Sequence, residues 1–579
     1  MKLGVVLIAI AACGDNLPRP ADRYCDAWHQ WGNNPAHTGQ SCSTGQPLER
    51  VLADVVIDSL VSDELADSDG DLIVHYQTPL IADDSVFVLS KTGVYTPCVT
   101  EPDPAMQCRH PEDLYRADTQ IWSEVGYAWH GNTLDQQWSF ESDWKPPPGI
   151  ETMFQPAIVD TDIAIPAADG AIALVDMVSG ELVRKVAPFG DDANAYVAGA
   201  LAVDGDIIYY NAVQVDHDTP YNLPMHGSLV AVALDGDVRV ADYSTLVPGA
   251  PAPDDLCAGY YDATVATLPL PPPPNADGTP VLPTPKNCGP QVPGFNSAPA
   301  VAFDGTLYVA SHSEYNEQYS YITSVNPGSL TGNWATSLRD RLHDGCGVDI
   351  PYASDAPGDP YACRDTAPPG IDPRTGLLPA AAVDDASSSS PVAMPGGGVL
   401  YGALTFYNAE RGHLFELDAH GGYVANYDFG WDTTPAIAST DAGDRIYMKD
   451  NHYGVGAGGT DAGPYYLTGL DAAALDPVWQ FKSTNTSSCV RAADGSVQCK
   501  SDHPNGFEWC INAPAIDRDG TMFANSEDGN LYAIGADGQL RDQFFLDTAL
   551  GASYTPVALD HLGRIYALNA GHMIVVGAN

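Results

Sequence analysis

Eight copies of one short pattern constrain this chain more than any other feature: a proline or small residue within an apolar tetrad, then an Asp/Gly turn and a second β-rich run. The copies are Thr78-Pro79-Leu80-Ile81, Gln155-Pro156-Ala157-Ile158, Gly199-Ala200-Leu201-Ala202, Ala298-Pro299-Ala300-Val301, Ser390-Pro391-Val392-Ala393, Thr434-Pro435-Ala436-Ile437, Ala513-Pro514-Ala515-Ile516 and Thr555-Pro556-Val557-Ala558. Between their second residues the spacings are 77, 44, 99, 92, 44, 79 and 42. A basic period of about 40–45 residues is that of a four-stranded propeller blade. The runs that follow, such as GTLYVAS and RIYALNA, are rich in β-branched and aromatic residues and bounded by turns that favour hairpins. The pattern predicts an all-β fold, one eight-bladed β-propeller of four-stranded blades, with a seven-bladed ring carrying one irregular repeat as the alternative. After the last tetrad only residues 556–579 remain, about three strands' worth. An N-terminal strand near Val51 to Ser62 is expected to complete that blade and close the ring.

Each long interval contains cysteines and no short one does: Cys98 and Cys108, then Cys257 and Cys288, then Cys346 and Cys363, then Cys489, Cys499 and Cys510. The long intervals therefore read as ordinary blades with inserted loops, each stapled to limit the entropy of a long excursion. The Pro-rich stretch 268–287 is one such excursion, extended and exposed. Sequence neighbours suggest pairing Cys25 with Cys42, Cys98 with Cys108, Cys257 with Cys288, Cys346 with Cys363 and Cys489 with Cys499, although spacing does not fix connectivity. Cys510 is then the odd one.

Disulfides require an oxidising compartment, and the N-terminus supplies a route to one. Lys2, the apolar run Leu3 to Ile10 and Ile10-Ala11-Ala12-Cys13 read as a signal peptide over 1–12, and the last four residues resemble a bacterial lipobox. That resemblance implies acylation of Cys13, a tether over 13–27, and a propeller domain over 28–579. The alternative is an ordinary signal peptide with a chance cysteine. Gly14 stands where the lipoprotein rules place Asp for inner-membrane retention, which implies an outer-membrane lipoprotein facing the periplasm or the cell surface. No stretch approaches the roughly 20 apolar residues of a membrane-spanning helix.

With 75 acidic against 25 basic residues the net charge is -50. Such a field repels nucleic acid and anionic surfaces, so neither is an expected partner. A solvated acidic surface is the plain reading, and cation binding the specific alternative.

Trp31-Gly32-Asn33-Asn34-Pro35-Ala36-His37-Thr38-Gly39 is similar to the segment preceding the first blade of quinoprotein-dehydrogenase-like propellers and BamB-type lipoproteins. Several repeats also approximate that family's docking pattern, an Asp or Asn followed by a turn and, eight residues on, a tryptophan: Asn326 reaches Trp334, Asp471 reaches Trp479, and Asp176 reaches Arg184. The resemblance implies that Trp334 and Trp479 dock neighbouring blades, since a large flat side chain can bury 150 Å² or more.

The family's enzymes hold pyrroloquinoline quinone in the central funnel with calcium, an Asp base and commonly adjacent cysteines. Here there is no Cys-Cys dipeptide, and no single acid stands out as a base. Asp67, Asp69 and Asp71 resemble the start of a calcium loop, although Thr78 stands where an EF-hand has Glu. Neither His-Glu-x-x-His nor a nucleophile elbow occurs. The sequence reading is a non-catalytic envelope propeller that binds or scaffolds protein or polysaccharide partners. The alternative is a periplasmic quinone- and calcium-dependent oxidoreductase with a divergent site.

Overall fold

The computed structural model describes residues 27–67, 72, 74–97, 116–147, 152–216, 224–261, 269–348, 363–385, 389–405, 408–440, 443–452, 463–551 and 555–578. Eight antiparallel four-stranded blades span residues 80–142, 157–186, 195–242, 300–337, 392–429, 436–482, 515–545 and 558–577, and are numbered 1 to 8 in that order. Blade 8 takes its outer strand from the other end of the chain: Arg50–Val56 pairs with His572–Gly577. This joins first and last blades, so the ring has no open seam.

Blades stack face to face, which explains why their middle strands carry unbroken buried runs. Leu307–Ser313 and Val399–Thr405 are buried at every position, whereas the outer strand Thr133–Ser142 alternates toward solvent. Near the axis, where blades converge, the tetrads supply small side chains: Ala157, Ala300, Ala436, Ala515 and Ala558 are fully buried. At the rim the wedge widens, and close packing needs larger groups.

Those rim groups occupy one recurring position. A one-residue bulge opens the outer strand of most blades, and the residue after it points at the next blade. Trp334 donates its indole N–H to the carbonyl of Ala419 at 3.1 Å, and Trp479 lies over Gly538. Trp138 does the same to Met177 at 2.9 Å. In blade 2 the place is taken by Arg184, which donates to the carbonyl of Leu234 at 2.9 Å. The Asp or Asn eight residues earlier closes the preceding turn: Asn326 accepts from the amides of Gly328 and Ser329, and Asp471 from those of Ala473 and Ala474.

The segment before blade 1 does more than lead into it. Ala27–Trp28 pairs with blade 1. The carbonyl of His29 then accepts from Ile158 in blade 2, and the side chain of Gln30 both donates to and accepts from Val203 in blade 3. Next, the carbonyls of Pro35, Ala36, Thr38 and Gly39 accept from Val301, Ala393, Ile437 and Ile516 in blades 4, 5, 6 and 7, and Gln46 bonds to Gly563 in blade 8. Residues 27–46 thus run once around the axis and touch all eight blades in order. At the centre, fully buried Trp31 packs among Met153, Ala200, Ala298 and Ala513. Ala200 belongs to blade 3 and Ala513 precedes blade 7, so Trp31 is gripped from opposite sides of the ring.

Candidate functional site

Strand parity decides where the inserted loops emerge. In each blade the connection between second and third strands, and the connection from the outer strand to the next blade, leave from the same face. The insertions 94–119, 243–299, 338–391 and 483–514 are all of these two kinds. They share one face of the ring. The opposite face carries only short turns, many built on Asp and Gly, and it is from this side that residues 27–46 close the axis.

Bridges Cys257–Cys288, Cys346–Cys363 and Cys489–Cys499 staple three insertions. Two of these interlock: the Arg364 amide donates to the Leu270 carbonyl at 2.7 Å and its guanidinium Nε to the Pro271 carbonyl at 3.0 Å. Cys42 is also disulfide-bonded. Cys510 takes no part in the three bridges. Cys13, Cys25, Cys98, Cys108, Asp69 and Asp71 lie outside the described residues. Asp67 ends a short helix, Val61–Asp67, and accepts from the Tyr95 hydroxyl at 2.8 Å.

Beneath the interlocked insertions lies a cluster that sequence spacing did not reveal. His312, at the end of the second strand of blade 4, Glu314 in the following turn, and Asp385 in the insertion before blade 5 present donor atoms within 4.8 Å of one another. His312 is buried, and its Nε2 lies 3.0 Å from Asp385 Oδ1. Burial pulls the imidazole toward neutrality, but Asp385, Glu314 and Glu317 outweigh it and push its pKa up to about 10. Burial, reinforced by Asp385, pushes Glu314 upward; burial also raises Glu317, to about 7. Asp384 also bears on Glu317 and Lys286 partly offsets it, so several acidic side chains crowd one imidazole and one ammonium, and burial and crowding favour the neutral forms of Glu314 and Glu317.

The turn carrying these groups is fixed from the 243–299 insertion. The Glu314 amide donates to Pro290, the Tyr315 amide to Cys288, and Asn316 Nδ2 to the carbonyl of Ala258 at 2.7 Å. The Cys257–Cys288 bridge therefore anchors the site's floor.

On the axis the described residues make a packed layer of neutral polar groups that bond across blade boundaries. The Thr78 amide donates to Gln155 at 2.6 Å, the Met153 amide to Asn296 at 2.7 Å, the Ala298 amide to Ser390 at 2.9 Å, and the Thr434 amide to Asn512 at 2.7 Å. Asn296 Nδ2 also reaches His75 Nδ1 at 3.3 Å, linking segments three blades apart. Trp31 packs beside this layer, among Met153, Ala200, Ala298 and Ala513.

No family model matches the chain, and no curated protein matches it. Among solved structures it is similar to a europium-containing methanol dehydrogenase, at 11% identity over 94% of this chain and 89% of that one, with a TM-score of 0.49. It is similar to the quinohemoprotein alcohol dehydrogenase of Comamonas testosteroni, at 12% identity over 96% and 81% of the two chains, with a TM-score of 0.47. It is also similar to BamB of Moraxella catarrhalis, at 14% identity over 74% and 94%, with a TM-score of 0.32.

Proposed function

We propose that this chain is a lipid-anchored protein of the bacterial cell envelope whose propeller is a binding platform, engaging a protein or polysaccharide through its insertion face. One observation carries the reading: the four insertions leave the ring on the same side, where bridges staple three of them and hydrogen bonds join two. Loops on a rigid scaffold are where recognition concentrates.

The tether fits this orientation. The described chain begins at Ala27, paired with Ala82 at the short-turn end of blade 1. A lipid on Cys13, fourteen residues earlier, would attach the body from that side, within about 50 Å of the bilayer at full extension. The insertion face then points away from the membrane. The Asp-rich turns would be repelled by anionic headgroups and hold the body off the surface.

Photo-crosslinking side chains at Leu282 and Val497, exposed on two insertions, are expected to give discrete adducts in intact cells. The same groups at Val178 and Leu562, exposed on short turns, are expected to give none. Equal labelling of both faces would refute the platform. An unmodified Met1 in the mature protein would refute the anchor.

A further inference from the structure

We propose that His312, Glu314 and Asp385 bind a divalent transition-metal ion, Zn2+ in the first instance, which joins blade 4 to the insertion preceding blade 5. This stands independently of the platform reading.

The donor set comes first. Zn2+ holds nitrogen and oxygen ligands at about 2.0–2.2 Å, so tetrahedral neighbours lie about 3.3–3.6 Å apart. His312 Nε2 and Asp385 Oδ1, at 3.0 Å, are already close to that spacing. The whole set lies within 4.8 Å. An imidazole among carboxylates favours zinc, or a neighbouring transition metal, over calcium or magnesium, which take oxygen ligands.

Two further observations point to a ligand. Glu314 Oε2 is sealed from solvent and has no hydrogen-bond partner, a costly arrangement for a carboxylate unless something occupies the space it faces. His312 Nδ1 lies 3.4 Å from the carbonyl oxygen of Ser313. A proton on Nδ1 directed to that carbonyl leaves the Nε2 lone pair facing the cluster, the tautomer a metal requires. Each ligand also sits on a fixed support: His312 within a buried strand, Glu314 on a turn tied to Pro290 and Cys288, and Asp385 just beyond Ala381–Ala382, which pairs with blade 5.

The test uses the whole exported chain, stripped with chelator and titrated calorimetrically with Zn2+ alone. One equivalent is expected to bind saturably and to raise the thermal midpoint. X-ray absorption of the loaded wild type should show one imidazole and oxygen ligands near 2.0 Å. Glu314→Gln and Asp385→Asn should each weaken binding by at least about tenfold. Glu314→Gln removes charge without removing volume, so its metal-free unfolding should stay near that of wild type; Asp385→Asn also weakens the buried pair with His312, so its binding is measured at a temperature where its metal-free form is fully folded. Asp254→Asn, on an exposed turn, should bind Zn2+ as wild type does. Absence of saturable binding, or affinity unchanged in both site variants, would overturn the site, as would an absorption spectrum without imidazole. Crosslinking from Leu282 and Val497 reports on the platform separately and uses none of these residues.

Discussion

His413 Nδ1 lies 2.7 Å from Asp428 Oδ1, and its Nε2 bonds to Asp344, so one buried imidazole in blade 5 clamps the insertion that precedes that blade. Arg411 adds a second contact to Asp428 at 2.6 Å. Burial alone would make the ring neutral, but Asp344 and Asp428 raise its pKa above the usual histidine value. Its stabilisation is therefore full below about pH 6.5 and is lost as pH rises through the folded value. Asp344→Ala leaves a buried cation short of one partner and is expected to cost about 3 kcal/mol near neutral pH. Urea unfolding at pH 6 and pH 9 checks both statements. The variant's deficit should be larger at pH 6, and an equal deficit at both would mean that His413 does not change charge between them.

The opposite sign applies at His37. It is fully buried in the axial segment, its Nδ1 donates to the carbonyl of Pro391 at 2.8 Å, and its Nε2 has no partner. Burial, only partly offset by that hydrogen bond, lowers its pKa to about 4. Below about pH 6.5 the unfolded chain takes up a proton that the folded chain refuses, so stability falls until the native group also titrates near pH 4. The accumulated loss is about 3 kcal/mol. His37→Asn tolerates the left-handed backbone at this position, φ 59°. Its unfolding free energy should therefore change less than that of wild type between pH 7 and pH 4. A parallel decline in both proteins would assign the acid sensitivity elsewhere.

The blade count was legible because each tetrad states the same local demand: small residues near the axis, a turn, then a strand buried on both faces. The rim position was legible only where its turn kept an acid or amide, as before Trp334 and Trp479. Trp138 escaped because His130 stands eight residues before it. The axial ring was illegible for a different reason. Its bonds to blades 4 to 7 use the carbonyls of Pro35, Ala36, Thr38 and Gly39, which leave no side-chain signature. His312 and Asp385 lie 73 residues apart, and only the folding of an insertion back over blade 4 brings them together.

Interlocking of the two largest insertions can be tested by hydrogen exchange at a single amide. The Arg364 N–H donates to Leu270 next to the Cys346–Cys363 bridge. Replacing both cysteines by serine releases a loop whose closure is worth about 3 kcal/mol in the chain-entropy account. Exchange at Arg364 should accelerate by about two orders of magnitude or more, while amides of the blade 1 middle strands should be unaffected. Uniform acceleration across the blades would show instead that the bridge supports the whole ring.

Trp31 provides the sharpest test of the axial segment. If residues 27–46 merely trailed across the ring, truncating the indole would cost no more than an exposed aromatic does. Trp31 is fully buried among side chains from opposite sides of the propeller, and its removal leaves a cavity that converging blades cannot collapse into without breaking the polar layer beside it. Trp31→Ala is therefore expected to lower stability by about 3–5 kcal/mol. Trp334→Ala removes a rim tryptophan that is partly exposed and is expected to cost less. Gly39 gives an independent readout of the same ring. Its φ is 66°, and a Cβ there would lie 2.6 Å from the Pro514 carbonyl oxygen and 2.8 Å from Ala436 Cβ. Gly39→Ala should destabilise by more than about 1 kcal/mol through clashes with blade 6 and the segment leading into blade 7. Urea unfolding of the three variants orders the effects. Trp31→Ala equal to or milder than Trp334→Ala would mean that the segment covers the propeller without holding it together.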